Sequence, residues 1–356
     1  MKVILYPYDT ESLPVLKYRE LLNIDVKYFV YPSGEELGNF KNEIFDVANK
    51  EEVKALITDE MLEQVDAICI VDSVCEIDES KMMEVVSYAV KKGKKIILIS
   101  YKYRKYKEKI KELCEKHGME LLLHPNMNFR YEDYYGEEIE EIDVPVISIM
   151  GMLPMTQKFE LQLYLRKNFL EKGYKVSQIG SKPASELFGF HAIPDYMFTN
   201  KYTDVQKIVQ FNNFVKKIEK EEQPDLIIIG IPDAIIPFSS KHSYSYGIYA
   251  FEILNAIQPD FSFVNLASGK YNEQFYNEVI KLCHYKFNLD VDAFYIARYG
   301  LMSNSIWSKD LAFAQIDETD KGHELNNVFS YSDLCTDKIF NLVEKKLQRY
   351  GRFEQY

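Results

Sequence analysis

Short apolar runs alternate with segments of helical spacing along nearly the whole chain. "KVILYP" (2–7) is apolar and β-branched, and "SLPVLKYRELL" (12–22) follows with helical spacing. "VKYFVYP" (26–32) is a second strand run that ends at Ser33-Gly34. The polar stretch "KEEVKALITDEMLEQ" (50–64) predicts a helix. "AICIVDS" is a buried-strand run, and "KMMEVVSYAVKKG" is a helix stopped by Gly93. "KKIILIS" is a strand, "KYKEKIKELCEKHG" a helix stopped by Gly118, and "MELLLHP" the last strand of the series. Continuous apolar strands alternating with helices indicate a parallel sheet covered on both faces. This pattern defines a first α/β domain over residues 1–125.

Pro125 ends the series. Residues 126–143 are acidic, Tyr-rich and without period, which predicts an interdomain linker. A second α/β domain, 144–356, then restarts the alternation. "VPVISIMGM" is its first strand, "QKFELQLYLRKNFLEKG" a helix stopped by Gly173, and "YKVSQIGS" the next strand. The helix "DVQKIVQFNNFVKKIEKE" follows an irregular stretch, "KPASELFGFHAIPDYMFT". "DLIIIGIPD", "DFSFVNLA" and "DAFYIARYG" each predict a single strand. Between them lie a loop, "AIIPFSSKHSYS", and the helices "YGIYAFEILNAI" and "NEQFYNEVIKLCHYKF". "TDKIFNLVEKKLQRYG" is a closing amphipathic helix.

Composition narrows the function classes. The 356 residues suffice for two cores, and the net charge of −12 argues against nucleic acid and anionic membrane surfaces as partners. No run reaches the roughly 18 apolar residues of a membrane span. The N-terminus reads as a first strand, not a signal peptide. Cys69, Cys75, Cys114, Cys283 and Cys335 form no CxxC pair. That count and scatter fit a reducing cytoplasm, and they argue against an iron–sulfur cluster or a structural zinc.

The turn after "VISIM" carries the most chemistry. A phosphate loop turns successive backbone N–H groups around an anion, and the following helix adds the positive end of its dipole. In the usual pattern, GxxxxGK[ST], the lysine directly follows a second glycine. Here Lys158 stands seven residues after Gly151, one more than usual. Thr156 occupies the place of the second glycine and Gln157 that of the lysine. No Ser or Thr follows Lys158 to bind magnesium, although Thr156 offers a hydroxyl. Leu161, Leu165 and Phe169 give the following helix one buried stripe. Either Lys158 grips an anion or it points into water.

Other candidates follow strand ends, where open α/β sheets bind ligands. Asp233, just past "DLIIIGIP", is placed either to direct a magnesium ion or to cap the next segment. Glu186, His191 and Asp195 cluster in the irregular stretch, as acid/base groups, metal ligands or loop hydrogen-bonders. Lys241 and His242 stand between hydroxyls, suited to a phosphate or carboxylate or to plain solvation. In the first domain, Asp9, Ser33, Gly34, Asp72 and Ser73 mark strand ends where a small ligand would sit. No GxGxxG, GxSxG or HExxH occurs.

The block "KFELQLYLRKNFLEKGYKVSQIGSKPASELFGFHAIPDYMF" resembles the bacterial peptide maturation system proteins. That resemblance implies a role in ribosomal peptide natural-product maturation, with a Cys-rich precursor peptide and a radical SAM maturase as partners. More remotely, the Gly151–Lys158 turn, "DLIIIGIPDAIIP" and "YGIYAFEILNAIQPDFSFVNL" are similar in order to the P-loop domain of dethiobiotin-synthetase-like proteins. This second resemblance implies a Rossmann-like first domain and a degenerate P-loop NTPase-like second domain, both with parallel sheets. Gly151 and Lys158 would be the loop's glycine and lysine, whereas Ile231-Pro232-Asp233 departs from those relatives, with the acid displaced and the glycines gone. Thr156, Gln157 and Asp233 are the further candidates, read from their positions, for holding ATP and Mg²⁺. Read from the residues and not from this resemblance, an ATP-dependent enzyme would use Asp233 or Glu186 to hold Mg²⁺ and His191 to shuttle a proton, which makes Glu186 and His191 the candidate catalytic groups. The implied functions are an accessory maturation protein that binds nucleotide, an ATP-dependent enzyme activating a peptide or small molecule, or a non-catalytic peptide binder.

Overall fold

A computed structural model of the chain describes residues 1–32, 52–74, 76–123, 138–307, 311–316 and 327–348. It forms two compact units, Met1–Asn128 with Lys182–Ala192, and Phe129–Ser181 with Ile193–Tyr356. The predicted linker, 126–143, lies outside the described residues as far as 137, as do Ser33, Gly34 and Cys75. Both units are α/β with parallel sheets.

The first unit opens with β1 (Lys2–Tyr6), the short helix α1 (Leu13–Lys17), β2 (Asp25–Val30) and β3 (Val53–Lys54). Helix α2 (Asp59–Glu63), β4 (Ala67–Val71), α3 (Glu79–Lys91), β5 (Lys95–Ile99), α4 (Lys107–Lys116) and β6 (Leu121–Leu123) follow. The sheet order is β3-β2-β1-β4-β5-β6. All five residues of β4 are buried, as an unbroken apolar run requires when helices cover both faces. The predicted helix over 50–64 is instead a strand and a short helix. Val53 pairs with Phe29 in the sheet, and the Thr58 side chain caps Met61 N, so the helix starts only at Asp59.

The second unit begins with β7 (Val146–Gly151), α5 (Lys158–Glu171) and β8 (Val176–Gly180). The chain then contributes Lys182–Ala192, including the two-residue β9 (His191–Ala192), to the first unit. There Leu187 O accepts from Asn23 N at 2.8 Å, and Lys182 pairs with Glu11 at 2.8 Å. Gly189 has φ +74, and a Cβ on it would lie 1.9 Å from the Asn23 amide. The predicted second domain, 144–356, therefore lends an internal segment to the first.

Back in the second unit come α6 (Asp204–Glu222), β10 (Leu226–Gly230), α7 (Ile248–Ala256), β11 (Phe261–Leu266) and α8 (Glu273–Phe287). The described residues end with β12 (Ala293–Ile296), β13 (Tyr299–Leu301), β14 (Phe313–Gln315), β15 (Val328–Ser330) and α9 (Lys338–Leu347). The unit's own parallel strands run β15-β12-β11-β7-β10-β8. The single strand predicted at "DAFYIARYG" is two. Beyond Ile296 the chain leaves the parallel sheet, and β13 pairs antiparallel with β14. Helix α5 buries Leu161, Leu165 and Phe169, but also Phe159, Glu160, Gln162, Leu163 and Tyr164. It has no single stripe, because it packs on β7, β8 and β10 while α9 covers another side. Phe169 meets Phe340 edge-on, with ring centroids 4.9 Å apart.

From β7 the chain crosses to β8, whereas from β11 it crosses the other way to β12. The crevice beyond the carboxyl ends of β7 and β11 is thus the switch point of this sheet. No helix among the described residues is long and apolar enough to cross a membrane.

Candidate functional site

The turn at that switch point is tightly folded. Gly151 O accepts from Ile235 N at 3.0 Å, and Met152 N donates to Asn265 O at 2.9 Å. A Cβ at Gly151 would lie 2.3 Å from Thr156 Oγ1, and 3.0 Å from both Leu153 O and Lys158 Cδ. Glycine is required there because the turn folds back over the strand end, not because of its φ. Met155 and Gln157 take positive φ, 58° and 53°. Thr156 donates its hydroxyl to Leu153 O at 3.1 Å, and Asn265 Nδ2 donates to Thr156 O at 2.9 Å. The amides of Leu153, Met155 and Gln157 meet no acceptor among the described residues, while that of Thr156 closes a turn on Leu153. Asn265 Oδ1 is buried beside them, also without a hydrogen-bond partner.

The fold brings Gly151, Thr156, Gln157, Lys158 and Asp233 together. Lys158 opens α5 and donates from Nζ to the carbonyl of Asp233, a residue with φ 59°. Asp233 therefore meets the lysine through its backbone. Gln157 bridges two elements, donating from Nε2 to Glu160 Oε2 and accepting from Arg298 N at 2.7 Å. The Arg298 guanidinium lies over the Tyr331 ring, 4.6 Å from its centroid. Two corrections to the sequence reading follow. Thr156 is buried in the turn, 1% exposed, and its hydroxyl donates to Leu153 O, so burial and not a missing lone pair keeps that oxygen from a magnesium ion as the turn stands. Lys158 points neither into water nor at an empty anion site, but at a carbonyl.

Sequence reasoning missed three neighbours. Glu160 is buried in the first turn of α5, where a carboxylate suits the positive end of the helix. Its signal was legible: an acid three places after the N-terminal boundary residue Gln157. Gln162, fully buried, donates to Lys158 O and Ser181 Oγ, both at 3.1 Å. A Cβ at Gly230 would strike the Gln162 amide at 2.2 Å, so this glycine makes room for it. Asn265 lies far along the chain and gave no local sign.

Glu186 and His191 belong to the first unit, on a 3₁₀ turn (Pro183–Phe188) and on β9, whereas Asp195 belongs to the second. Glu186 Oε1 accepts from Ala192 N at 3.2 Å. Burial pushes its carboxyl pKa up, against the opposing pull of that hydrogen bond and of His191. The first unit's aspartates work as loop fasteners. Asp9 accepts from Ser73 Oγ at 2.5 Å, Val74 N at 2.8 Å and Glu11 N at 2.8 Å. Asp72 accepts from Ser100 Oγ, Lys102 N at 3.0 Å and Tyr101 N at 3.3 Å. Burial raises both carboxyl pKa values, and these hydrogen bonds oppose it. Among the described residues no group of three or more His, Cys, Asp or Glu is placed to hold a metal ion.

Fold and site define a class: a two-unit α/β protein with a glycine-to-lysine turn at a sheet switch point. No protein-family model and no curated protein matches the sequence. Among solved structures, the chain is similar in fold to a DUF1611 family protein from Anabaena variabilis. The two share 11% identity at a TM-score of 0.56, over 83% of this chain and 87% of that one. A nucleotide-binding protein in complex with ADP from Archaeoglobus fulgidus aligns over 56% of this chain and 87% of its own, at 13% identity and a TM-score of 0.32. Cobyrinic acid a,c-diamide synthase from Mycobacterium smegmatis, with bound ADP and magnesium, aligns over 44% and 75%, at 12% and 0.27. The last two likenesses are too distant to carry an argument about this chain.

Proposed function

We propose that the second unit binds the phosphates of a nucleoside triphosphate, with Mg²⁺, at the Gly151–Lys158 turn. One observation carries the reading: three amides of one turn, those of Leu153, Met155 and Gln157, stand without an acceptor beside an ammonium group, at the switch point of a parallel sheet. Backbone N–H groups of this kind, ahead of a helix, are an anion's natural partners. Lys158 Nζ would exchange the Asp233 carbonyl for a phosphate oxygen, and the Asp233 carboxylate would hold the metal. Glu160 limits the affinity, because its carboxylate already occupies the helix's positive end. No hydroxyl follows Lys158, and Thr156 is buried inside the turn, which favours binding over hydrolysis. The resemblance to peptide maturation system proteins supports a Cys-rich precursor peptide as second ligand and a radical SAM maturase as partner. Calorimetry with MgATP tests the reading. Lys158→Ala should lose binding, and an unchanged affinity removes the proposal.

A second reading is a peptide-presenting protein that needs no nucleotide. The ammonium's existing bond to Asp233 favours it. Pull-down of the precursor peptide would then be insensitive to MgATP and to Lys158→Ala.

A further inference from the structure

At the carboxyl ends of β1, β2 and β3 the first unit holds a cavity of about 360 Å³. That is within the usual size of a small-molecule site, roughly 300–1,000 Å³, and this edge of a parallel sheet is where ligands bind. Val30, Ile57, Ile77 and Val85 give it apolar walls. Tyr6, the last residue of β1, lines it too. This residue is 6% exposed, yet its hydroxyl, which is not sealed off, meets no partner among the described residues. Burial, with the negative charges of Asp78 and Glu84, pushes its pKa up to about 12, so the hydroxyl keeps its proton and stands as a donor.

Two opposite charges line the same cavity from α3. Lys81 and Glu84 are three residues apart, a spacing that makes them neighbours on a helix surface. Both are exposed, and neither side chain makes an ion pair or hydrogen bond among the described residues. Glu76, the other carboxylate at the cavity, is taken by Lys105 at 3.3 Å. Tyr88, one turn beyond Glu84, is pinned through its hydroxyl, which donates to Asp59 Oδ1 at 2.5 Å. Lys81 lies in the first turn of α3, its N–H capped by Asp78 at 2.9 Å, where a cation opposes the helix dipole. An anion bound at Lys81 relieves that opposition.

We propose that this cavity binds a free amino acid with an apolar side chain. Lys81 takes the carboxylate, Glu84 the ammonium group, and the apolar walls the side chain, while the Tyr6 hydroxyl donates to a carboxylate oxygen. An amino acid carries both charges on one carbon, which matches two opposite charges on neighbouring helix positions. An amine alone leaves Lys81 unanswered, and an acid alone leaves Glu84 so. A dinucleotide fits poorly, because no glycine-rich turn follows β1 to let a pyrophosphate approach. The site lies in the first unit, and the proposal does not rest on nucleotide binding.

The test is calorimetry on the full chain with L-phenylalanine, 3-phenylpropionate, phenethylamine and AMP. L-Phenylalanine should bind saturably and about tenfold more tightly than either analogue, the usual weight of a hydrogen bond to a charged group. Lys81→Met should lose about that factor for L-phenylalanine without weakening phenethylamine, which has no carboxylate. Glu84→Gln should lose it for L-phenylalanine without weakening 3-phenylpropionate, which has no ammonium group. Both positions are exposed, and an unchanged melting temperature checks that each variant folds. Absence of L-phenylalanine binding would overturn the proposal. So would an analogue or AMP that binds as tightly as L-phenylalanine, or an unchanged L-phenylalanine affinity in either variant.

Discussion

Gly151→Ala probes the turn on which the nucleotide reading stands. The new methyl would start 2.3 Å from Thr156 Oγ1, inside the distance that real Cβ contacts respect. Leu153 O and Lys158 Cδ, each at 3.0 Å, close two other sides. Relief requires Thr156 to turn away, which breaks its 3.1 Å bond to Leu153 O, worth about 1 kcal/mol. Overpacking of the remaining contacts adds about 1–3 kcal/mol. The total, roughly 2–4 kcal/mol, should lower the urea midpoint of the second unit by about 1 M, at an m-value near 2–3 kcal/mol/M. Hydrogen exchange read by mass spectrometry on peptides spanning 146–165 isolates that unit from the first. The same variant should lose MgATP affinity, since the unpaired amides of Leu153, Met155 and Gln157 share the distorted turn. Adding Thr156→Ala removes the closest contact, so the double variant should regain part of the stability. A wild-type midpoint together with wild-type MgATP affinity in Gly151→Ala would refute the reasoning.

Two charge predictions follow. Glu160→Gln removes a buried carboxylate from the N-terminus of α5 and should tighten MgATP binding several-fold in calorimetry; weaker binding would mean that Glu160 supports the site. Glu252, buried on α7 and 3.2 Å from Lys207, has its carboxyl pKa pushed up to about 7, first by burial. A raised folded pKa gives stability that is full below the unfolded value near 4.5 and is lost as pH climbs towards 7. The wild-type melting temperature should therefore fall across that window more steeply than that of Glu252→Gln, and parallel curves would contradict the assignment.

Local pattern determined the repeating elements. Apolar runs such as "AICIV" and "LIIIG" became fully buried parallel strands, because a strand covered on both faces must be apolar at every position. Gly93, Gly118 and Gly173 end helices with φ of +70°, +66° and +88°, a conformation that the missing Cβ makes cheap. The Gly151-to-Lys158 turn was also legible, because its parts lie within one strand–turn–helix unit. Tertiary structure decided what those parts touch. Lys158 meets Asp233 across 75 residues, Gln157 meets Arg298 across 141, and Asn265 holds Thr156 across 109. Strand order creates those meetings, and hydrophobic periodicity carries no information about strand order. The same holds for Lys182–Ala192, whose docking beside Asn23 depends on a glycine that tolerates both the left-handed turn and the close amide. Periodicity thus set which residues are strand, turn and helix, while the packing of distant strand ends set which of their polar groups stay unpaired for chemistry.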